Sequence, residues 1–148
     1  MDELSTVRTS IQYIVVKLGE ERFGINISYV DNIVRMQRMT RVPEVAPYIK
    51  GVINLRGEVV PVMSTRIKMG LEPDVETNAT RIIILKFEQQ GFIGFIVDAV
   101  NEVVTLDTES IEKVADQKQD GAFVQGVGKT NDGLISILDL NALINEQV

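Results

Sequence analysis

Three segments of the chain recur in the same order further along it. Gln12-Tyr13-Ile14-Val15-Val16-Lys17-Leu18 lies over Arg81-Ile82-Ile83-Ile84-Leu85-Lys86-Phe87 at an offset of 69 residues, and Phe23-Gly24-Ile25 through Val34 lies over Ile93-Gly94-Phe95 through Val104 at 70. Tyr48-Ile49-Lys50-Gly51-Val52 lies over Phe123-Val124-Gln125-Gly126-Val127 at 75. Apolar positions coincide in each match, and a glycine in the second and third, so the chain is an internal duplication whose two copies must reach one backbone plan. In each copy the third segment leads to a turn, Arg56-Gly57 or Asn131-Asp132-Gly133, and then to another apolar run.

Val and Ile together supply 37 of the 148 residues. Their branched Cβ stiffens χ1 and packs well on a pleated surface, so these runs read as strands. Each copy reads as a strand, a hairpin, a strand, a short helix opened by Ser28 or Asp98 as N-cap, a loop and a final hairpin. About five strands in roughly 70 residues close most readily as a small barrel, because closure removes exposed sheet edges. The expected fold class is therefore mainly β: two five-stranded barrels with short helices after the second strand of each copy and at the C-terminus. A unit of about 60 residues buries too little surface to be comfortable alone, so the two barrels are expected to share one core. The expectation is a single domain over residues 9–147, a linker near 70–79, a mobile loop at 116–121 and a disordered tail at 1–8.

Composition removes most enzymology. The chain has no His and no Cys, which excludes Ser-His-Asp and Cys-His nucleophiles, disulfides and nearly every zinc, haem or iron–sulfur ligand set. Gly128-Lys129-Thr130 ends like a phosphate loop, but Phe123 stands where its first glycine belongs and the segment lies in a hairpin. Asp116, Asp120 and Gly121 hint at a calcium loop, yet Lys118 occupies a ligand position and Val127 replaces the closing glutamate. Asp107, Glu109 and Glu112 read as a turn and a helical first turn. No catalytic residue, cofactor or metal is expected. Asp2 and Glu3 stand where a secretory signal needs basic residues, and no apolar run reaches about 18 residues, so a cytoplasmic location without membrane insertion is expected.

The net charge of −6 is unevenly spread: −2 over residues 1–34, +5 over 35–71 and −9 over 72–148. The basic stretch reads either as a solvated face or as a dock for an acidic protein partner. Nucleic-acid binding, or a small β-barrel binding a small ligand, is the alternative function class, disfavoured because aromatics for base stacking are scarce there.

The densest run of distinctive residues is Lys50-Gly51-Val52-Ile53-Asn54-Leu55-Arg56-Gly57, followed by Pro61-Val62. It resembles the CheW family of chemotaxis coupling proteins, whose pattern joins a K-G-V-x-N-L-R-G hairpin to a P-V strand. The likeness runs from about Ser10 to Glu146, through Gly94–Val100 and Ile137-Leu138-Asp139-Leu140. The resemblance implies two intertwined SH3-like barrels and a non-catalytic adaptor that links chemoreceptor cytoplasmic tips to the histidine kinase CheA through the kinase's regulatory domain. It implies recruitment to receptor arrays at the membrane. It also implies receptor contacts at Ile14, Ile27, Val30, Ile33 and Val100, and kinase-binding or coupling roles for Arg56, Gly57 and Val59. Ile27, Val30 and Ile33 at i, i+3, i+6 would share one helical face, which reads either as that groove or as core. Two positions depart from the family pattern: Asn32 replaces a glutamate that can pair with the hairpin arginine, and Ser64-Thr65 replaces Asp-Leu. Arg56 is accordingly expected to find another partner or stay free.

Overall fold

The computed structural model describes residues 9–114 and 123–145. The first copy supplies β1 (Ser10–Leu18), β2 (Glu21–Asn26), a 3-10 turn (Ile27–Tyr29), β3 (Val30–Arg35), β4 (Ile49–Leu55), β5 (Glu58–Ser64) and α1 (Thr65–Lys68). The second supplies β6 (Arg81–Phe87), β7 (Gly91–Val97), β8 (Ala99–Asp107), a 3-10 turn (Thr108–Ser110), β9 (Glu112–Lys113), β10 (Val124–Thr130), β11 (Gly133–Leu138) and α2 (Leu140–Ile144).

The molecule is mainly β and built as two SH3-like units, but the units are not the two sequence copies. One sheet runs β8-β1-β2-β11-β10-β9 and the other β3-β6-β7-β5-β4. Each therefore takes strands from both copies, which is what intertwines them. Two parallel pairings lock the exchange, β11 with β2 and β5 with β7. Close packing against the neighbouring strands, antiparallel β6 for Gly94 and parallel β11 for Gly24, explains the glycines matched at offset 70. A Cβ on Gly94 would come within 2.7 Å of Ile82 Cγ2, and one on Gly24 within 3.1 Å of Ile137 Cδ1, so bare backbone is needed where neighbouring strands carry isoleucines.

Burial explains why the strongest strands are uninterrupted apolar runs instead of alternating ones. In β1, Ile14, Val16 and Leu18 enter a central cluster while Tyr13 and Val15 enter a second. In β6, Ile83, Leu85 and Phe87 join the central cluster while Ile82 and Ile84 enter a third with Ile53, Val60 and Val62. Each of these strands is covered on both faces, so both sets of side chains must be apolar. The central cluster draws on both sheets and on Leu140 and Leu143 of α2; it is the shared core expected from the small size of each unit.

The expected helices after the second strand of each copy are replaced. In the first copy there is only the single 3-10 turn, capped by Asn26, whose Oδ1 accepts from the Ser28 amide at 2.9 Å. In the second there is no helix, and Asp98 stands alone between β7 and β8. These are the two points where the chain crosses from one sheet to the other, and the residues that follow pair as strands with β6 and β1. Short helices follow the final hairpins instead, as α1 and α2, capped by Ser64 and Asp139; the C-terminal one matches expectation. No strand or helix occupies residues 70–79, where the linker was expected. The segments 1–8 and 116–121, expected as tail and loop, lie outside the described residues.

Candidate functional site

Apart from Ile27 in the 3-10 turn, the groove candidates fall on strands, not on one helical face. Strand β3 is an edge of one sheet and β8 an edge of the other. Val30 and Ile33 pair with Leu85 and Ile83, while Val100 and Val103 pair with Val16 and Ile14. All four partners belong to the shared core, and paired residues of antiparallel strands project to the same face. The two edges thus carry half-covered apolar rims at the margin of that core: Ile33 is 36% exposed and Val103 50%. The registers of both strands slip at the same place, past Asp31 in β3 and past Asn101 in β8. These β-bulges keep Val30 and Ile33, and likewise Val100 and Val103, on one face despite their odd spacing. Ile27 extends the surface from the crossover. It borders a cleft of about 560 Å³ whose polar lining includes Gln12, Asn26, Ser28 and Thr105.

Ile14 is corrected. It is 4% exposed and buried in the shared core, so it supports the rim from beneath and offers no surface to a partner. Val103 was missed, although the offset-70 alignment with Ile33 contains the signal for it.

The second candidate is the β4–β5 hairpin. Its turn, Arg56-Gly57, has φ of 52° and 85°, positive at both central residues as a type I′ turn requires. Asn54 Oδ1 accepts the Gly57 amide at 3.1 Å. Arg56 is not free: its guanidinium donates to Asp31 Oδ2 at 3.0 Å, at an exposed site. The acid missing at Asn32 is thus supplied one residue earlier, by the bulge residue that strand pairing leaves out. Val59, next on β5 after Glu58, is 64% exposed. The hairpin therefore presents a cation and an apolar side chain together, backed by Ile53, Val60 and Val62 in their own cluster.

A third feature fixes how the sheets meet. Arg66 of α1 grips Asp98 with two bonds, Nε to Oδ1 at 2.9 Å and NH2 to Oδ2 at 2.6 Å. The same carboxylate accepts the Gly19 amide of the β1–β2 turn at 2.8 Å. One side chain thus joins a turn of the first sheet, a helix following the second and the crossover between them. The Arg66 hydrogen bond, helped by the Gly19 amide and opposed by partial burial, holds the Asp98 carboxyl below its ordinary value, and Asp98 in turn raises Arg66.

The second departure also resolves. Ser64 Oγ accepts the Ile67 amide at 3.0 Å and its hydroxyl donates to Asp74, so a carboxylate reaches this point from the segment after α1. In the second copy Asp139 caps directly, accepting from the Ala142 amide at 3.1 Å.

Comparison with known proteins agrees with this architecture. The family model described as the CheW-like domain matches residues 12–148. Chemotaxis protein CheW of Bacillus subtilis is 35% identical over 143 residues, covering 95% of this chain and 91% of that protein. Chemotaxis protein CheW of Helicobacter pylori is 33% identical over 92% of this chain and 82% of its own length. The crystal structure of the scaffolding protein TtCheW from Thermoanaerobacter tengcongensis superposes with a TM-score of 0.83 at 35% identity, covering 94% of this chain and 90% of that one. A family match over nearly the whole chain, relatives matched along most of their length and one shared fold establish that the chain belongs to the CheW-like domain family.

Proposed function

We propose that the chain is a non-catalytic adaptor in bacterial chemotaxis, coupling chemoreceptor cytoplasmic tips to the regulatory domain of CheA. The observation that carries this reading is the pair of apolar rims on β3 and β8, continuous with the shared core and half open to solvent. Apolar area left open beside a packed core is what a partner helix covers, typically with anchors at helical spacing. Val30, Ile33, Val100 and Val103, with Ile27, form the receptor groove in this reading, and Arg56, Gly57 and Val59 the coupling hairpin. The likeness to chemotaxis proteins named CheW, and to one described as a scaffolding protein, supports it. Among the described residues no helix is long and apolar enough to cross a membrane. The adaptor works in the cytoplasm and reaches receptor arrays through its partners.

The test is co-sedimentation with a receptor-tip fragment and, separately, with the CheA regulatory domain. Ile33→Asp and Val103→Asp each place a charge on an already exposed position and should weaken the receptor complex about tenfold or more, with folding retained. Retained receptor binding in both variants would remove the groove from this reading.

A further inference from the structure

The segment between β3 and β4 is neither part of the groove nor of the hairpin tip. It is anchored at both ends. Met36 and Met39 pack against the Ile53–Val60–Ile82 cluster, Thr40 exchanges two backbone hydrogen bonds with Val52 at 2.9 and 2.8 Å, and Tyr48 rests on the shared core. Gly51 permits the anchoring, since a Cβ there would meet the Thr40 carbonyl at 2.6 Å. Between the anchors the chain bows outward through Pro43, Glu44 at φ 60° and Pro47. Val42 and Val45 stand exposed beside a cleft of about 530 Å³ that Arg41, Glu44 and Lys50 also border.

The charges on this segment differ from those around the fold's junctions. Arg22, Arg56 and Arg66 each meet a carboxylate. Arg38, Arg41 and Lys50 are exposed, and among the described residues none of them has an ion-pair partner. Three unneutralised cations on or next to this segment, Arg41 and Lys50 bordering the cleft with the two exposed valines and Arg38 just before the Thr40 anchor, in a chain of net charge −6, are complementary to an acidic polypeptide carrying an apolar anchor. Two prolines and the two fixed ends pre-order the loop, which lowers the entropy lost on binding. We propose that this loop is a docking site for an acidic, extended segment of a protein partner, with Arg38, Arg41 and Lys50 engaging its carboxylates and Val42 and Val45 its apolar side chain. The proposal does not rest on the adaptor reading.

The test uses the full chain and a fluorescein-labelled dodecapeptide of glutamates flanking two leucines, with a single-stranded oligonucleotide of equal charge and a scrambled lysine peptide as comparators. Fluorescence anisotropy should report binding of the acidic peptide that weakens with added salt. The combined Arg38→Glu, Arg41→Glu and Lys50→Glu substitutions should weaken it at least about tenfold, whereas Lys113→Glu with Lys129→Glu, which lie elsewhere, should change it less than about twofold. Glu44→Gln should tighten it, and Val42→Ser with Val45→Ser should weaken it without altering the salt dependence. A circular-dichroism melt of each variant keeps loss of binding separate from loss of fold. Absence of binding at low salt, equal or tighter binding of the oligonucleotide, or full binding by the folded charge-reversed variant would each overturn the proposal.

Discussion

The β4–β5 and β10–β11 hairpins occupy equivalent places in the two copies and show what duplication held and what it released. Both have the same register slip at their start, between Ile49 and Gly51 and between Val124 and Gly126. Both leave an exposed apolar residue three positions past the start of the turn, Val59 at 64% and Leu134 at 60%. Both end in a capped short helix, with the cap amide bonded to the carbonyl of Tyr48 or Phe123. The tips diverge. Arg56 sits at positive φ and reaches Asp31, whereas Asn131 and Asp132 keep negative φ and the left-handed position passes to Gly133 at 123°. Backbone-determining residues are held because each has a packing or pairing partner that a change would disturb. Tip residues face solvent, so little in the fold restrains them and an interaction can select them.

The largest effect separates the shared core from the core of one sheet. Ile83→Ala and Ile84→Ala should each cost about 2–5 kcal/mol, one by opening the central cluster and the other the cluster confined to the second sheet. Because the central cluster joins both sheets, each variant should still melt in a single transition that calorimetry and near-ultraviolet dichroism report alike. Two resolved transitions in the Ile84 variant would break the claim of a single cooperative unit.

The two crossovers give the next contrast. Asp98→Ala removes three hydrogen bonds to a partly buried carboxylate and should cost about 1–3 kcal/mol, while Ser28→Ala at the equivalent place should be nearly neutral, measured by urea unfolding. The Asp98 contribution should also depend on pH. Its folded pKa lies below the ordinary 3.8, so the stabilisation is complete above that value and is lost as pH falls through the folded value. The stability gap between the native chain and Asp98→Asn should therefore be constant from neutral pH to about 5 and narrow below about 4.

A smaller effect compares the caps. Asp139→Ala and Ser64→Ala should each cost about 1 kcal/mol. Writing the second copy's residue into the first, Ser64→Asp, should destabilise by a similar amount because the new carboxylate meets Asp74; adding Asp74→Asn should recover most of it. Smallest is Arg56→Ala, whose exposed pair with Asp31 should contribute about 0–1 kcal/mol. On the adaptor reading, receptor-dependent activation of CheA by this variant should fall far more than its melting temperature. Proportionate losses of both would mark Arg56 as a structural residue.

The sequence by itself determined the duplication, the strands and the existence of a shared core. Runs such as Tyr13–Val16 and Ile82–Leu85 are apolar at every position, and only a strand covered on both faces demands that. It also placed Arg56 on a glycine turn, since local turn chemistry is written in adjacent residues. Three things were decided only by tertiary structure. Ile27, Val30 and Ile33 have helical spacing, yet β3 pairs with β6 and a bulge at Asp31 restores a common face, because cross-strand hydrogen bonds outweigh local periodicity. Ile14 and Val103 are paired neighbours on one face, but the first lies inside and the second at the rim, a difference set by which strand ends up at a sheet edge. Asp98 looked like a helix cap and became a link between sheets, because its partners Arg66 and Gly19 lie 32 and 79 residues away and only the exchange of strands between copies brings them together.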